Sequence, residues 1–237
     1  MTRRPLANSE LAASAVLLAW NVAINRAVPA PGYVPANLAV AGLSMLAARR
    51  RRVPDADLGL GRDRLARGLR VGLAATVPVA AVVAVGAAVP ATRRFFLDER
   101  GTTGGTSYAL YHTLVRIPFG TAVAEETLFR GSLLGLLLQR HSRVRAAATS
   151  SVLFGLWHVL PTLDTLRLNA AGSAVRDDPV RTGGAVAASV AVTAIAGLGF
   201  SWLRFRADSL VAPAVVHAAL NSSAFAAARL VARSAGR

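Results

Sequence analysis

The chain predicts an all-α fold, a multi-pass transmembrane bundle of about seven spans with a buried polar site inside the membrane, on three observations. The 237 residues are 54% hydrophobic with a mean hydropathy of +0.46, and the apolar residues come in long blocks. The net charge of +15 would on a soluble chain point to nucleic acid. Here the arginines fall between the apolar blocks, as in Arg49, Arg50, Arg51 and Arg52 and again in Arg62, Arg64, Arg67 and Arg70. That is the distribution of cytoplasmic loops, so the expected partner is the lipid bilayer and not nucleic acid. The third observation is a small set of ionisable residues inside the apolar blocks, where each charge costs several kcal/mol.

Seven spans follow in order: 10–28, 33–48, 69–89, 107–139, 144–160, 184–203 and 210–231. Each is near the length a ~30 Å hydrocarbon core requires, and runs of alanine and leucine without alternation make them helices. Pro78 marks a kink in the third span, and Pro118 a break or bend in the long fourth. Pro161 stops the fifth, while Pro213 lies in the first turn of the seventh, where proline is tolerated. Arg3 and Arg4 before the first apolar run also resemble the start of a cleavable signal peptide, the competing reading of that span. The segment 101–106 reads as a flexible loop, since it lacks the lysine and the strand–loop–helix setting of a phosphate cradle.

The charges orient the chain. The N-terminus and residues 49–70, 140–145 and 204–208 are arginine-rich and belong in the cytoplasm, which puts 29–32, 90–106 and 161–183 outside. The C-terminal Arg229, Arg233 and Arg237 then fall outside, against the rule. The expected location is the plasma membrane, with the N-terminus cytoplasmic. Abundant alanine and the lack of any lysine point to a GC-rich bacterial genome. With no cysteine, thiol catalysis, thiolate metal sites and disulfides are excluded.

Five ionisable positions stand out. Glu126 and Arg130 are four apart and pair on one helical face, while Glu125 points about 100° away and has no local partner. A lone desolvated carboxylate suits general acid–base work. His158 follows Phe154 by four residues and shares its face, and His217 and Asn221 are related in the same way. Each pair alone is more often core packing or interhelical hydrogen bonding. Their succession in a chain with four histidines, of which His112 and His141 are not expected in catalysis, points to one buried site.

Glu125-Glu126-Thr-Leu-Phe-Arg130, Phe154-Gly-Leu-Trp-His158 and His217-Ala-Ala-Leu-Asn221 resemble the E-E-x-x-x-R, F-x-x-x-H and H-x-x-x-N/D signatures of the CPBP (Abi) family. That family comprises CAAX prenyl endopeptidases and bacterial relatives tied to bacteriocin processing or self-immunity. The resemblance covers about residues 107–228 of a single integral-membrane domain, 1–237, whose residues 1–106 supply three spans and loops without a signature. It implies peptide-bond hydrolysis of a peptide or membrane-anchored protein substrate. By it, Glu125 and His158 activate water, and His217 and Asn221 stabilise the oxyanion, with Glu126, Arg130 and Phe154 in support. This mechanism requires no cofactor. Glu125, His158 and His217 are also the candidates for a three-ligand divalent metal site such as zinc, although no H-E-x-x-H helix is present. Two other functions compete: a non-catalytic immunity or scaffold protein, and a proton-coupled transporter. The intact polar set argues against the first, and the lack of an inverted repeat against the second.

Overall fold

A computed structural model of the chain describes residues 4–97, 103–169, 172 and 175–235, and among these there is no β-strand. The main helices are α1 (Arg4–Arg26), α2 (Tyr33–Arg50) and α3 (Leu65–Ala88), then α4, a composite helix over residues 106–138. They continue with α5 (Arg143–Trp157), α6 (Val159–Leu168), α7 (Pro179–Ala207) and α8 (Val211–Ala235). Arg3, Arg237 and residues 98–102, including the start of the expected 101–106 loop, lie outside the described residues.

Among the described residues, four stretches are long and apolar enough to cross a membrane: Asp55–Ala88, Arg143–Leu168, Pro179–Ala207 and Val211–Ser234. They cover the third, fifth, sixth and seventh expected spans, so length and composition alone support four of the seven. The other three differ for a physical reason. α1 carries Glu10, Asn21, Asn25 and Arg26, and α2 is only 18 residues long and ends in two arginines. The second half of α4 holds the glutamate pair and is sheathed in protein, with every residue from 128 to 137 buried. A helix surrounded by other helices need not be apolar on all sides.

α4 does not break at Pro118. It is π-wound over His112–Val123, returns to α geometry at Ala124–Glu126, is π-wound again over Thr127–Leu133 and closes as α over Leu134–Leu138. Pro118 has no N–H to offer the Thr113 carbonyl five residues back, and the Ser222 hydroxyl of α8 donates to that carbonyl instead at 3.1 Å. Nor does Pro161 end the fifth span for good. The chain turns at His158 (φ −85°, ψ 0°) and a new helix, α6, starts at Val159. Pro161 is then its third residue, where the N–H has no intrahelical acceptor in any case. α7 begins earlier than expected, at Pro179, because the Asp178 carboxylate accepts from the Val180 and Arg181 N–H groups at 2.9 and 3.2 Å.

Small residues let the long helices close on one another. A Cβ on Gly155 of α5 would lie 2.5 Å from the Val190 carbonyl of α7, and one on Gly72 of α3 would lie 3.1 Å from the Ala212 carbonyl of α8. At one end of the bundle the arginine-rich segments meet. His141 Nε2 lies 3.2 Å from Glu10, and the Gln139 amide donates to Asp57 at 2.8 Å. Arg204, almost fully buried, donates to the Ala56 and Asp57 carbonyls, and Gly59 (φ +77°) has no side chain to obstruct it. At the other end Arg26 pairs with Asp164 at 2.9 Å. There too Arg229 is buried and donates to the Thr103 and Gly104 carbonyls, so it is not a loose terminal charge.

Candidate active site

The short α turn between the two π-wound stretches carries Glu125 and Glu126, both buried. Glu126 Oε1 accepts from Arg130 Nη1 at 3.2 Å, the i,i+4 pair expected from spacing. Arg130 is wholly buried and sheltered by aromatic rings: its guanidinium carbon stands 4.1 Å from the Phe154 ring centre and 5.2 Å from that of Phe200. A desolvated guanidinium against ring faces gains cation–π attraction beyond its ion pair. Gly197 of α7 leaves room for it, since a Cβ there would lie 2.8 Å from Arg130 Nη2.

His217 of α8 joins the two glutamates. Its Nδ1 lies 2.8 Å from Glu126 Oε1, and its Nε2 lies 3.9 Å from Glu125 Oε2. A carboxylate only accepts here, so Nδ1 carries the hydrogen. Phe200 stacks on the imidazole at 4.9 Å and 18°, and the edge of Phe154 meets it at 5.9 Å. Glu125 has a second contact: the Trp157 indole N–H donates to Oε1 at 3.1 Å. Its Oε2 is buried without a hydrogen bond.

His158 sits at the joint between α5 and α6. Its Nδ1 donates to the Phe154 carbonyl at 2.7 Å, because a carbonyl can only accept, and the neutral ring therefore presents the Nε2 lone pair. The Phe154 ring touches both imidazoles, His158 at 4.6 Å and His217 at 5.9 Å. His158 makes no ion pair with Glu125 among the described residues. Asn221, one turn beyond His217 on α8, is half-buried, with no hydrogen bond to its amide among the described residues.

Glu125, Glu126, Arg130, Phe154, His158 and His217 are thus in one cluster, and Asn221 stands a turn away. Among the described residues no group of three or more His, Asp and Glu side chains is gathered to hold a metal ion. Sequence reasoning did not find Trp157, Phe200 or Gly197. Trp157 lies inside the second motif, but a tryptophan on an apolar helix reads as core. Phe200 and Gly197 lie on α7, which carries no polar signal of its own.

His112 and His141, not expected in catalysis, lie elsewhere. His112 Nδ1 donates to the Tyr108 carbonyl at 3.0 Å, and its ring stacks on Phe225. On the other side of the cluster a polar thread ties α4 to α1 and α2. Asn37 donates to the Gly120 carbonyl and accepts from the Trp20 indole, each at 2.9 Å, while the Tyr33 hydroxyl lies 3.3 Å from Thr121 Oγ1.

Residues 107–223 match the family described as type II CAAX prenyl endopeptidase Rce1-like. No curated protein and no solved structure matches the chain. The matched stretch runs from the first turn of α4 to just past Asn221, and so takes in the glutamate pair, the turn at His158 and the first half of α8. Through those residues, just under half of its length, the chain, a multi-pass membrane protein, matches the Rce1-like family of CAAX protease-type enzymes.

Proposed function

We propose that this protein is an intramembrane endopeptidase in which Glu125 activates the water that cleaves a peptide bond of a peptide or membrane-anchored protein. The observation that carries the reading is the state of the Glu125 carboxylate. One oxygen is held by the Trp157 indole, and the other is buried, unbonded and 3.9 Å from His217 Nε2. A buried acceptor without a donor is costly, and a substrate water would satisfy it. The His158 Nε2 lone pair supplies a second acceptor for the same water.

The chemistry is then balanced by side chains. Glu125 Oε2 takes a proton from water as its oxygen bonds to the scissile carbonyl carbon, and the carbonyl π electrons move onto oxygen. The Asn221 amide donates to that oxyanion, as does His217 through Nε2, which requires a proton on both of its ring nitrogens. With Glu125, Glu126 and Arg130, that protonation brings the buried cluster to zero net charge. Collapse of the intermediate breaks the C–N bond, and the proton held by Glu125 passes to the departing amine. Glu126 and Arg130 hold the His217 ring in place. The reading places the enzyme in the plasma membrane, with its arginine-rich end in the cytoplasm.

The test is cleavage of membrane-anchored reporter peptides, prenylated and unprenylated, by the purified protein in proteoliposomes, with fragments identified by mass. Glu125→Gln should lower turnover by about 1,000-fold or more, as expected for loss of the general base together with the charge it carries, while insertion and melting temperature stay unchanged. Chelation should leave the wild-type rate unaltered. Wild-type turnover by Glu125→Gln would overturn the water-activation role, and chelator-sensitive activity restored by zinc would replace it with a metal-centred one.

A further inference from the structure

We infer that Trp157 is a positioning residue for the reaction: its indole N–H fixes the Glu125 carboxylate so that Oε2, and not Oε1, is the oxygen that receives the proton of the attacking water. This rests on the assignment of Glu125 as the base. A glutamate side chain on a helix is free to rotate its terminal carboxylate, and the two oxygens are chemically identical until something distinguishes them. Here the surroundings distinguish them. Oε1 accepts from Trp157 Nε1 at 3.1 Å, whereas Oε2 accepts from no group and faces the His217 imidazole at 3.9 Å.

The indole is itself held firmly. Trp157 is buried, and its ring meets Phe129 edge-to-face at 5.4 Å, at an interplanar angle of 83°. Phe129 packs the same way against Phe154 at 5.2 Å, and Phe154 contacts both imidazoles. The donor that sets the carboxylate and the rings that bear the histidines therefore belong to one rigid aromatic stack. Trp157 is also the last residue of α5, directly before the turn that aims His158. One helix end thus places the base through residue 157 and the second water acceptor through residue 158. An indole suits this place because it donates and cannot accept: it can bind Oε1 but cannot compete with Oε2 for the proton of the water.

The experiment separates the N–H from the ring. Benzothienylalanine, inserted at position 157 by codon suppression, keeps the shape of tryptophan with sulfur in place of N–H. 7-Azatryptophan at the same position keeps the N–H. Both variants, Trp157→Phe and Glu125→Gln are assayed with the reporter peptides in proteoliposomes, reading kcat, KM and melting temperature. The benzothienyl variant should lose about 10- to 100-fold in kcat, the range for removing a hydrogen bond to a charged group, with KM altered less than about twofold. Its melting temperature should match that of the azatryptophan variant, which should keep wild-type kcat. If the benzothienyl protein does not fold, Trp157→Phe takes its place in the same comparison.

Wild-type kcat without the N–H, or equal losses in both isosteres, would overturn the inference and leave Trp157 as packing. Those outcomes are distinct from failure of the underlying reading. In that case Glu125→Gln itself would retain activity, and the isosteres would have no base to position.

Discussion

Glu126 and Glu125 are neighbours in sequence with opposite liabilities. Glu126 shares one oxygen between Arg130 and His217, at 3.2 and 2.8 Å, and Arg130 has no exposure to water. Glu126→Gln leaves that guanidinium buried without its counter-charge, which should cost about 3–5 kcal/mol of stability. The check is a lower melting temperature and yield in detergent, and an unchanged melt would show that Arg130 is compensated elsewhere. Glu125→Gln, in contrast, keeps an acceptor for the Trp157 N–H and removes the charge, so its loss should appear in turnover and not in the melt. The Glu126–Arg130 pair was legible in the sequence because it depends only on i,i+4 geometry within one helix. The Trp157–Glu125 and His217–Glu126 bonds were not, because they join residues 32 and 91 positions apart across helix interfaces. No spacing rule reaches that far. The role given to His217 by resemblance also gains detail: its Nδ1 is committed to Glu126, so it can donate to an oxyanion only through Nε2.

At the level of helices, α4 is a central strut and α5 and α7 are a tightly closed pair. Gly155 and Gly199 give a paired test of that closure. A methyl group at 155 would press on the Val190 backbone carbonyl at 2.5 Å, while one at 199 meets nothing within 4 Å. Gly155→Ala should therefore destabilise by about 1–3 kcal/mol through overpacking. Gly199→Ala should be neutral or stabilising by a few tenths to about 1 kcal/mol, because it removes a helix-interior glycine. Thermal melts of the two variants check this, and equal effects would mean that α5 and α7 are not packed this closely. Helix existence was largely legible from apolar blocks, and the positions of Pro78 and Pro213 inside helices agree with it. The winding of α4 and the restart at Val159 were not legible. Apolar periodicity read at 3.6 residues per turn cannot register π turns, and a proline three residues into a helix looks the same in sequence as one that ends it.

For the molecule as a whole, the contacts sort the connecting segments into two groups. Glu10, residues 55–57, 139–141 and 204–206 meet at one end, and Arg26, Asp164 and the 103–104 segment with Arg229 fall at the other. These are the two groups into which loop charge divides the chain. Because the protein lacks cysteine, single cysteines can report sidedness directly. Asp63→Cys should react with an impermeant maleimide only from the cytoplasmic side of oriented vesicles, and Asp177→Cys only from the outer side; labelling of both from one side would contradict the topology. The half that matches the family was legible as three motifs. The first half of the chain gave no signature, although Asn37 and Tyr33 of α2 buttress α4 at Gly120 and Thr121. Polar residues that support a backbone from a neighbouring helix carry no motif to recognise.

The central claim is that Glu125 activates water and does not itself attack the substrate. A single-turnover cleavage in water enriched in heavy oxygen tests it most directly, followed by mass analysis of both the product and the enzyme peptide that contains Glu125. Direct attack by water places the heavy oxygen in the new C-terminal carboxylate of the product and leaves the Glu125 peptide unlabelled. Label in the Glu125 carboxylate, with an unlabelled product, would show a covalent acyl-glutamate and contradict the account.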